Sequence, residues 1–338
     1  MQEAKPSTVA ITGTGMAVPP RVVTNDDLAK LMDTSDEWIR QRTGIEERRY
    51  VAEGVGAADL AYEAAVKALK ASRLEPTDID FVLVATLSPQ QYFPGTCSFL
   101  QAKLGMGTKP GLDIRAQCTG FIYGLELGQA LIMSGQYGRI LLVGVEVQSV
   151  ALDLSDRGRD TATLFGDAAG AVVLERSHNL DVGIKRVITH LEGQFADKLG
   201  LRFPAAIGGA WIKPEHMADG AHNPYMDGRF VFKHAVTRMP EVIGEVLRDQ
   251  NLRVDDIDLW LFHQANLRIN EHICLTLKIP AEKVYNNIQK YGNTSSATIP
   301  TLLDECVRSG RLQAGAKVMT TAFGAGFTWG AGLVVWGS

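Results

Sequence analysis

The chain of 338 residues contains an internal repeat, and this repeat limits the folds open to it more than any other feature. The stretch "DIDFVLVATLSP" begins at Asp78, and "DIDLWLFHQAN" begins at Asp256, which is 178 residues later. An amphipathic helical pattern precedes each stretch, and a further helix and apolar strand follow each one. Strand and helix patterns that alternate twice in the same order predict an α/β fold with two similar halves. We place these halves at residues 1–177 and 178–338.

Three glycines follow the first repeat at intervals of four residues. Gly120, Gly124 and Gly128 lie on one face of the predicted helix, where each costs about 0.5–1 kcal/mol relative to alanine. Such a stripe is typical of a buried helix that another backbone approaches closely. We expect the partner to be the corresponding helix of the second half, which starts near Ser295.

Composition and charge exclude several classes of function. A net charge of −4 gives no reason to expect a nucleic-acid or anionic-membrane partner. No apolar run reaches the ~18 residues that span a bilayer, and the opening residues lack the basic-then-apolar order of a signal peptide. The segment 193–229 is rich in Gly, Pro and Ala and predicts a long loop, in which His216 and His222 suggest no metal site. The cysteines have no CxxC or zinc-ligand spacing, so we predict reduced thiols, no metal and a cytoplasmic location; they are Cys97, Cys118, Cys274 and Cys306.

Cys118 lies at a predicted strand-to-helix corner, within "GLDIRAQCTGFIYG". Unpaired N–H groups and the helix dipole favour an anion at a helix start, and a thiolate there is a good nucleophile. A buried and inert thiol is the common alternative for a free cysteine, and position alone leaves it open.

Three further stretches carry candidate chemistry. His263 follows the apolar strand "LWLF", where the carboxyl ends of strands form many α/β sites, although a structural histidine also fits. Asn293 opens the run "NTSS", for which a helix cap is the ordinary interpretation. The stretch "AFGAGFTWGAGLVVW" joins two strands by a glycine-rich turn, and the absence of a following helix argues against a phosphate loop.

The order of these motifs resembles β-ketoacyl-acyl-carrier-protein synthase III, the initiating condensing enzyme of bacterial fatty-acid synthesis, over nearly the whole chain. The motifs are "DTSDEWIRQRTGI" at 33–45, the Cys118 corner, "DRG" at 156–158, "FGDAAGAVV" at 165–173, "HQANLRI" at 263–269, "YGNTSSATIP" at 291–300 and "AFGAGFTWG" at 322–330. The resemblance implies a thiolase-like fold of five layers, αβαβα, with two pseudo-symmetric halves and two central buried helices. It also implies a homodimer.

The family's Cys-His-Asn triad falls on Cys118, His263 and Asn293. The resemblance implies that the Cys118 thiolate takes an acyl group from acyl-CoA, most simply acetyl-CoA, while the N–H groups of Cys118 and Ala325 hold the oxyanion. His263 and Asn293 then stabilise the enolate formed when malonyl-acyl-carrier protein loses carbon dioxide. The product is a 3-oxoacyl-carrier protein, and the reaction needs no metal, redox group or other cofactor.

The resemblance also implies substrate contacts. Trp38 and Arg157 match a pair that sandwiches the CoA adenine, and Phe93 matches a residue that closes the partner's acyl pocket. Lys233 and Arg268 match basic positions that meet the acidic carrier protein, although a solvated surface is their plain alternative. The remaining matches to substrate-binding positions are Thr34, Arg42, Gly158, Phe232, Ala235, Asn266 and Phe323.

Several positions depart from the family pattern. Arg115 and Gln117 replace small residues before the cysteine, Ala325 replaces a glycine, and Arg229 replaces an asparagine beside the CoA tunnel. Leu275 and Thr276 stand where lysines are frequent, and the 193–229 segment is longer than usual. These changes leave the acyl-chain preference open.

Other members of the fold provide alternative functions. Thiolases use a second cysteine near the C-terminus and elongating ketosynthases use a second histidine in place of Asn293, so neither fits this chain. A relative that condenses longer or unusual acyl thioesters, in secondary metabolism or in head-to-head joining of acyl chains, would keep the same triad. An inactive partner subunit would have a damaged triad, whereas all three triad residues are present here. A hydrolase or simple acyltransferase that uses the same cysteine stays open, although the motifs contain no carboxylate to activate water.

Overall fold

The computed structural model describes residues 6–207 and 209–337. Residues 1–5, part of the stretch for which we predict no signal peptide, lie outside this range, as does Gly208 of the predicted loop. The strands are β1 (Thr8–Ala17), β2 (Arg21–Thr24), β3 (Glu47–Tyr50), β4 (Phe81–Ala85), β5 (Gly111–Ile114), β6 (Arg139–Glu146), β7 (Ala168–Ser177), β8 (Gly183–Leu191), β9 (Leu199–Gly200), β10 (Tyr225–Met226), β11 (Leu259–Phe262), β12 (Lys317–Gly324) and β13 (Thr328–Val335). The helices are α1 (Asn25–Ala29), α2 (Asp36–Thr43), α3 (Ala57–Ser72), α4 (Thr96–Leu104), α5 (Gly120–Met133), α6 (Arg159–Ala162), α7 (Pro214–Ala218), α8 (Gly228–Asp249), α9 (Leu267–Leu277), α10 (Ile288–Tyr291) and α11 (Thr298–Arg308).

Two sheets with the same topology form the frame of the molecule. The first has the order β1-β7-β6-β4-β5, and the second has the order β11-β12-β13-β8. In both sheets the two repeated strands, β4 and β6 or β11 and β12, run parallel. Strand β5 also runs parallel to β4, and the remaining neighbours are antiparallel. Val284 forms a parallel bridge with Trp260 of β11, at the place that β5 occupies beside β4. The α/β fold predicted from the repeat is confirmed.

Apolar side chains bury both faces of each sheet, and this produces five layers. One hydrophobic cluster joins α3 and α4 to the outer face of the first sheet. A second cluster joins α5 and α11 to the inner faces of both sheets, and a third joins α8 and α9 to the outer face of the second sheet. A helix covered on both sides must be apolar around most of its circumference, as α5 is. The predicted αβαβα layers and the two central helices are confirmed.

The glycine stripe of α5 has a different role from the one expected. A Cβ at Gly124 would overlap the side chain of Leu142, and one at Gly128 would overlap Leu174, so both glycines face leucines of the first sheet. Only Gly120 approaches the second half, where a Cβ would lie 3.6 Å from the Cβ of Ser296. The expectation of close helix-to-helix packing along the whole stripe is therefore wrong, because the glycines make room for large sheet residues.

The segment 193–229 contains regular structure where a loop was predicted. Strands β9 and β10 pair antiparallel, and α7 lies between them. Among the described residues, no helix is long and apolar enough to cross a membrane. The same residues contain no group of three or more His, Cys, Asp or Glu side chains that could hold a metal ion.

Candidate active site

Two sharp corners of the backbone meet at the centre of the molecule. Gln117 has a φ of +47°, and the 3-10 turn Gln117–Thr119 leads into α5. Ser295 has a φ of +46°, and the turn Ser295–Ala297 leads into α11. Non-glycine residues rarely take this left-handed conformation, so its occurrence in both halves marks the two corners as counterparts. Cys118 therefore corresponds to Ser296, 178 residues later, and the predicted equivalence of the two helix starts is confirmed.

Cys118, His263 and Asn293 lie on the wall of one cavity of about 1450 Å³. Each is buried, with 8%, 3% and 5% of its surface exposed. Cys118 comes from the first-half corner, His263 from the end of β11, and Asn293 from the segment before the second corner. The side-chain oxygen of Asn293 accepts a hydrogen bond of 2.9 Å from the backbone N–H of Ser295, so the Asn293 side chain has a fixed orientation.

Burial controls the protonation of the two titratable groups. Burial raises the pKa of Cys118 to about 12. The Ser295 hydroxyl opposes this shift, and a negative charge on Glu146 would add to it. The resting side chain is thus a thiol, because desolvation outweighs the helix-start effect on which the sequence argument depended. Burial also lowers the pKa of His263 to about 3, so its ring is neutral.

The His263 ring is available for chemistry. Neither ring nitrogen has a hydrogen-bond partner within the described part of the chain. A neutral imidazole with both nitrogens free can accept a proton at one and donate at the other. The site thus combines the Cys118 thiol with the neutral His263 ring, which can accept a proton. His263 and Asn293 can also donate hydrogen bonds without carrying a charge.

The glycine-rich turn between β12 and β13 packs against the nucleophile corner. A Cβ at Gly324 would lie 3.0 Å from the Cβ of Cys118 and 3.1 Å from its backbone nitrogen, so a larger residue here would displace the Cys118 corner by a few tenths of an ångström. Ala325, the next residue, lines the same cavity. The hydroxyl oxygens of Thr119 and Thr328 lie 2.6 Å apart, and Thr328 donates to the Ala325 carbonyl at 3.1 Å. These bonds fix the turn relative to the corner.

Near the cavity mouth, the ring of Trp38 lies beside two guanidinium groups. The Arg42 carbon Cζ is 4.2 Å from the ring centroid, and that of Arg159 is 5.0 Å away. Arg157 instead donates to Asp153 at 2.5 Å and to the Ala218 carbonyl at 2.8 Å. Sequence reasoning missed Arg159, for which the nearby "DRG" motif was the only signal.

Some of the other predicted contact residues line the cavity, whereas Thr34, Phe93, Gly158 and Lys233 are not among its lining residues. Those on the cavity wall, besides Trp38 and Arg42, are Phe232, Ala235, Asn266, Arg268 and Phe323, and the divergent Arg115, Gln117 and Arg229 lie there too. Phe93 is 78% exposed, Lys233 is exposed, and Leu275 is 79% exposed. Thr34 has a buried hydroxyl oxygen without a hydrogen-bond partner in the described residues, and Gly158 is buried where the Asp153 carbonyl leaves no room for a Cβ.

Comparison with known proteins identifies the family. Residues 112–193 match the family described as 3-oxoacyl-[acyl-carrier-protein] synthase III, and residues 247–336 match its C-terminal part. The chain is 44% identical over 332 residues to β-ketoacyl-[acyl-carrier-protein] synthase III 2 of Vibrio vulnificus, covering 97% of this chain and 88% of the relative. It is 41% identical over 330 residues to the synthase III of Koribacter versatilis, covering 96% and 97% of the two chains.

A solved structure extends the similarity to three dimensions. The crystal structure of 3-oxoacyl-[acyl-carrier-protein] synthase III from Aquifex aeolicus matches with a TM-score of 0.89 and 40% identity. The match covers 98% of this chain and 100% of the other. The chain therefore belongs to the β-ketoacyl-acyl-carrier-protein synthase III family of condensing enzymes.

Proposed function

We propose that this protein condenses an acyl-CoA primer, acetyl-CoA in the first instance, with malonyl-acyl-carrier protein. The product is a 3-oxoacyl-carrier protein, and the reaction initiates fatty-acid synthesis. The observation that carries the proposal is the shared cavity, in which a thiol lies with a neutral histidine and an oriented asparagine. This set of groups suits acyl transfer followed by decarboxylation.

The first half-reaction transfers the acyl group to Cys118. As the sulfur attacks the thioester carbonyl of the acyl-CoA, the thiol proton passes to the neutral ring of His263, so that no free thiolate forms first. The backbone N–H groups of Cys118 and Ala325 stabilise the oxyanion, which the close packing of Gly324 on Cys118 supports. The CoA thiolate then leaves with the proton from His263, so the histidine is neutral again.

The second half-reaction needs neutral donors. When malonyl-carrier protein loses carbon dioxide, negative charge moves from the carboxylate to the thioester oxygen. His263 and Asn293 donate hydrogen bonds to that oxygen, and the low pKa of His263 keeps a cation away from the starting carboxylate. The resulting carbanion attacks the acyl-enzyme, and Cys118 leaves as a thiolate that takes up a proton from solvent water.

The partners follow from the surface. We infer that acyl carrier protein meets the exposed side chains of Lys233 and Arg268, whose positive charge complements an acidic protein. Arg268 also lines the cavity. A homodimer is supported by β5, an exposed edge strand, and by the 78% exposure of Phe93, which would close the partner's acyl pocket. A cytoplasmic location agrees with the four unpaired cysteines.

The test is the intact mass of the protein after incubation with acyl-CoAs of increasing chain length. We expect an acetyl adduct on the native protein and none on the Cys118→Ser variant. Adding malonyl-carrier protein should remove the adduct and release 3-oxoacyl-carrier protein. An adduct that water removes equally fast without malonyl-carrier protein would indicate a hydrolase, and no adduct with any acyl-CoA would refute the proposal.

A further inference from the structure

Glu146 is a buried carboxyl group that the proposed reaction does not use. It is the last residue of β6, and none of its surface is exposed. The segment Thr86–Ser88 contributes hydroxyl and backbone N–H donors to it, and Ser296 of the second corner contributes the others. Neither segment contains a charged side chain, and an ionised Glu146 would raise the pKa of Cys118.

The hydrogen bonds of Glu146 determine where a proton must lie. Its Oε2 accepts from the backbone N–H groups of Leu87 and Ser88, both at 3.1 Å. The hydroxyls of Ser88, at 2.5 Å, and Thr86, at 3.3 Å, donate to the same oxygen. Its Oε1 lies 2.8 Å from the hydroxyl oxygen of Ser296. That hydroxyl oxygen also lies 2.7 Å from the carbonyl oxygen of Ala85, which can only accept.

The single hydroxyl hydrogen of Ser296 cannot be donated to both Ala85 and Glu146. If its hydroxyl donates to Ala85, an ionised Glu146 would place a lone pair against another lone pair at 2.8 Å. A proton on Oε1 removes this conflict, because it donates to Ser296 while Oε2 keeps its four donors. The backbone N–H groups of Leu87 and Ser296 reach Oε1 only at 3.3 Å. Burial without a cation acts in the same direction, since it raises the pKa of Glu146.

We propose that Glu146 is a neutral carboxylic acid and the positioning residue that holds Asn293 in place beside Cys118. Its proton anchors Ser296, and the adjacent Ser295 donates its backbone N–H to the Asn293 side chain at 2.9 Å. The same acid group ties down Leu87 and Ser88, which line the cavity.

The neutral state fits the chemistry of the site. Negative charge forms at Cys118 during acyl transfer and on the enolate oxygen during decarboxylation. A buried carboxylate in this position would oppose both anions, and its charge raises the pKa of Cys118. A neutral acid supplies the same hydrogen bonds without that repulsion. The role of Asn293 in this argument rests on the proposed function, but the protonation state does not.

The protonation state can be measured without activity. Infrared difference spectra of the native protein and Glu146→Gln at neutral pH should show the carbonyl band of a protonated carboxyl in the native protein only. The control is Asp304→Asn, because Asp304 is equally buried but forms an ion pair with Arg308 at 2.6 Å. Absence of the native band, or its persistence in Glu146→Gln, would overturn the proposal.

The positioning role is tested by separating the two half-reactions. The amide of Glu146→Gln can donate to Ser296 and accept from Ser88, so acylation of Cys118 and malonyl decarboxylation should each stay within about threefold of the native rates. Glu146→Leu keeps the volume without the hydrogen bonds, and it should slow decarboxylation about tenfold more than acylation. Asp304→Leu should leave the ratio of the two rates unchanged, even though it lowers stability.

The outcomes separate this inference from the proposed function. Equal loss of both half-reactions in Glu146→Leu, or a loss in Glu146→Gln as large as in Glu146→Leu, would refute the positioning role. If the native protein fails to decarboxylate malonyl-carrier protein, the proposed function fails, and the infrared band still decides the protonation state of Glu146.

Discussion

The buried histidine of the site has a measurable effect on stability. The pKa of His263 is lowered from 6.5 to about 3 by burial, while an unfolded chain has a histidine near 6.5. Above pH 6.5 both states are neutral, and the residue has no effect on the pH dependence. Between pH 6.5 and 3 only the unfolded state binds the proton, so the free energy of unfolding falls as the pH falls. This single group lowers it by about 2 kcal/mol between pH 7.5 and pH 5.

Denaturant unfolding of the native protein and His263→Gln at both pH values isolates this effect. The difference in unfolding free energy between the two proteins should change by about 2 kcal/mol, because glutamine does not titrate. A parallel comparison with His178→Gln, at an exposed position, controls for the general response to acid. A difference that stays constant for His263→Gln would show that the residue takes up its proton equally in both states, which would contradict the neutral ring on which the mechanism depends.

Three further substitutions test the surroundings of the site. Gly324→Ala should slow acylation of Cys118 by about tenfold to a hundredfold in a mass assay, since the new Cβ displaces the Cys118 corner. An unchanged rate would show that the glycine-rich turn does not determine the position of Cys118. Trp38→Ala should raise KM for acyl-CoA about tenfold with little effect on kcat in steady-state kinetics, and a fall in kcat alone would exclude a binding role. Arg48→Met should lower the free energy of unfolding, measured in urea, by about 3 kcal/mol. The substitution removes the guanidinium that donates to the buried side-chain oxygen of Asn25 at 2.8 Å, and a loss under 1 kcal/mol would contradict this reasoning.

The fold was predictable because the order of helix and strand patterns repeats along the chain. The repeated Asp-Ile-Asp strands fixed the order of the elements, and equal spacing in both halves indicated two equivalent sheets. The left-handed residues Gln117 and Ser295 were not predictable from residue type, because neither is a glycine or an asparagine. Their equivalence becomes visible only when the 178-residue offset is applied to the corner itself.

The predictions that failed or remained incomplete depended on tertiary contacts, which the spacing of residues in the sequence does not reveal. Spacing identified the face that carries Gly124, but it could not show that a leucine of the first sheet occupies the space. The helix-start argument for Cys118 omitted burial, which has the larger effect on its pKa. Arg157 and Arg159 differ by two positions, and only their contacts show which one lies near Trp38. The substrate roles assigned through the family resemblance stay predictions for the experiments above.

The central layer has a consequence for how the chain folds during synthesis. Helix α5 is covered on one side by the first sheet and on the other by β8 and β13, and β13 ends at Val335. A ribosome that has made only the first half therefore presents an apolar sheet face and an apolar helix with nothing to cover them. Such surfaces aggregate or bind chaperones until the missing layer arrives. Folding of the first half should consequently wait for nearly the last residues of the chain.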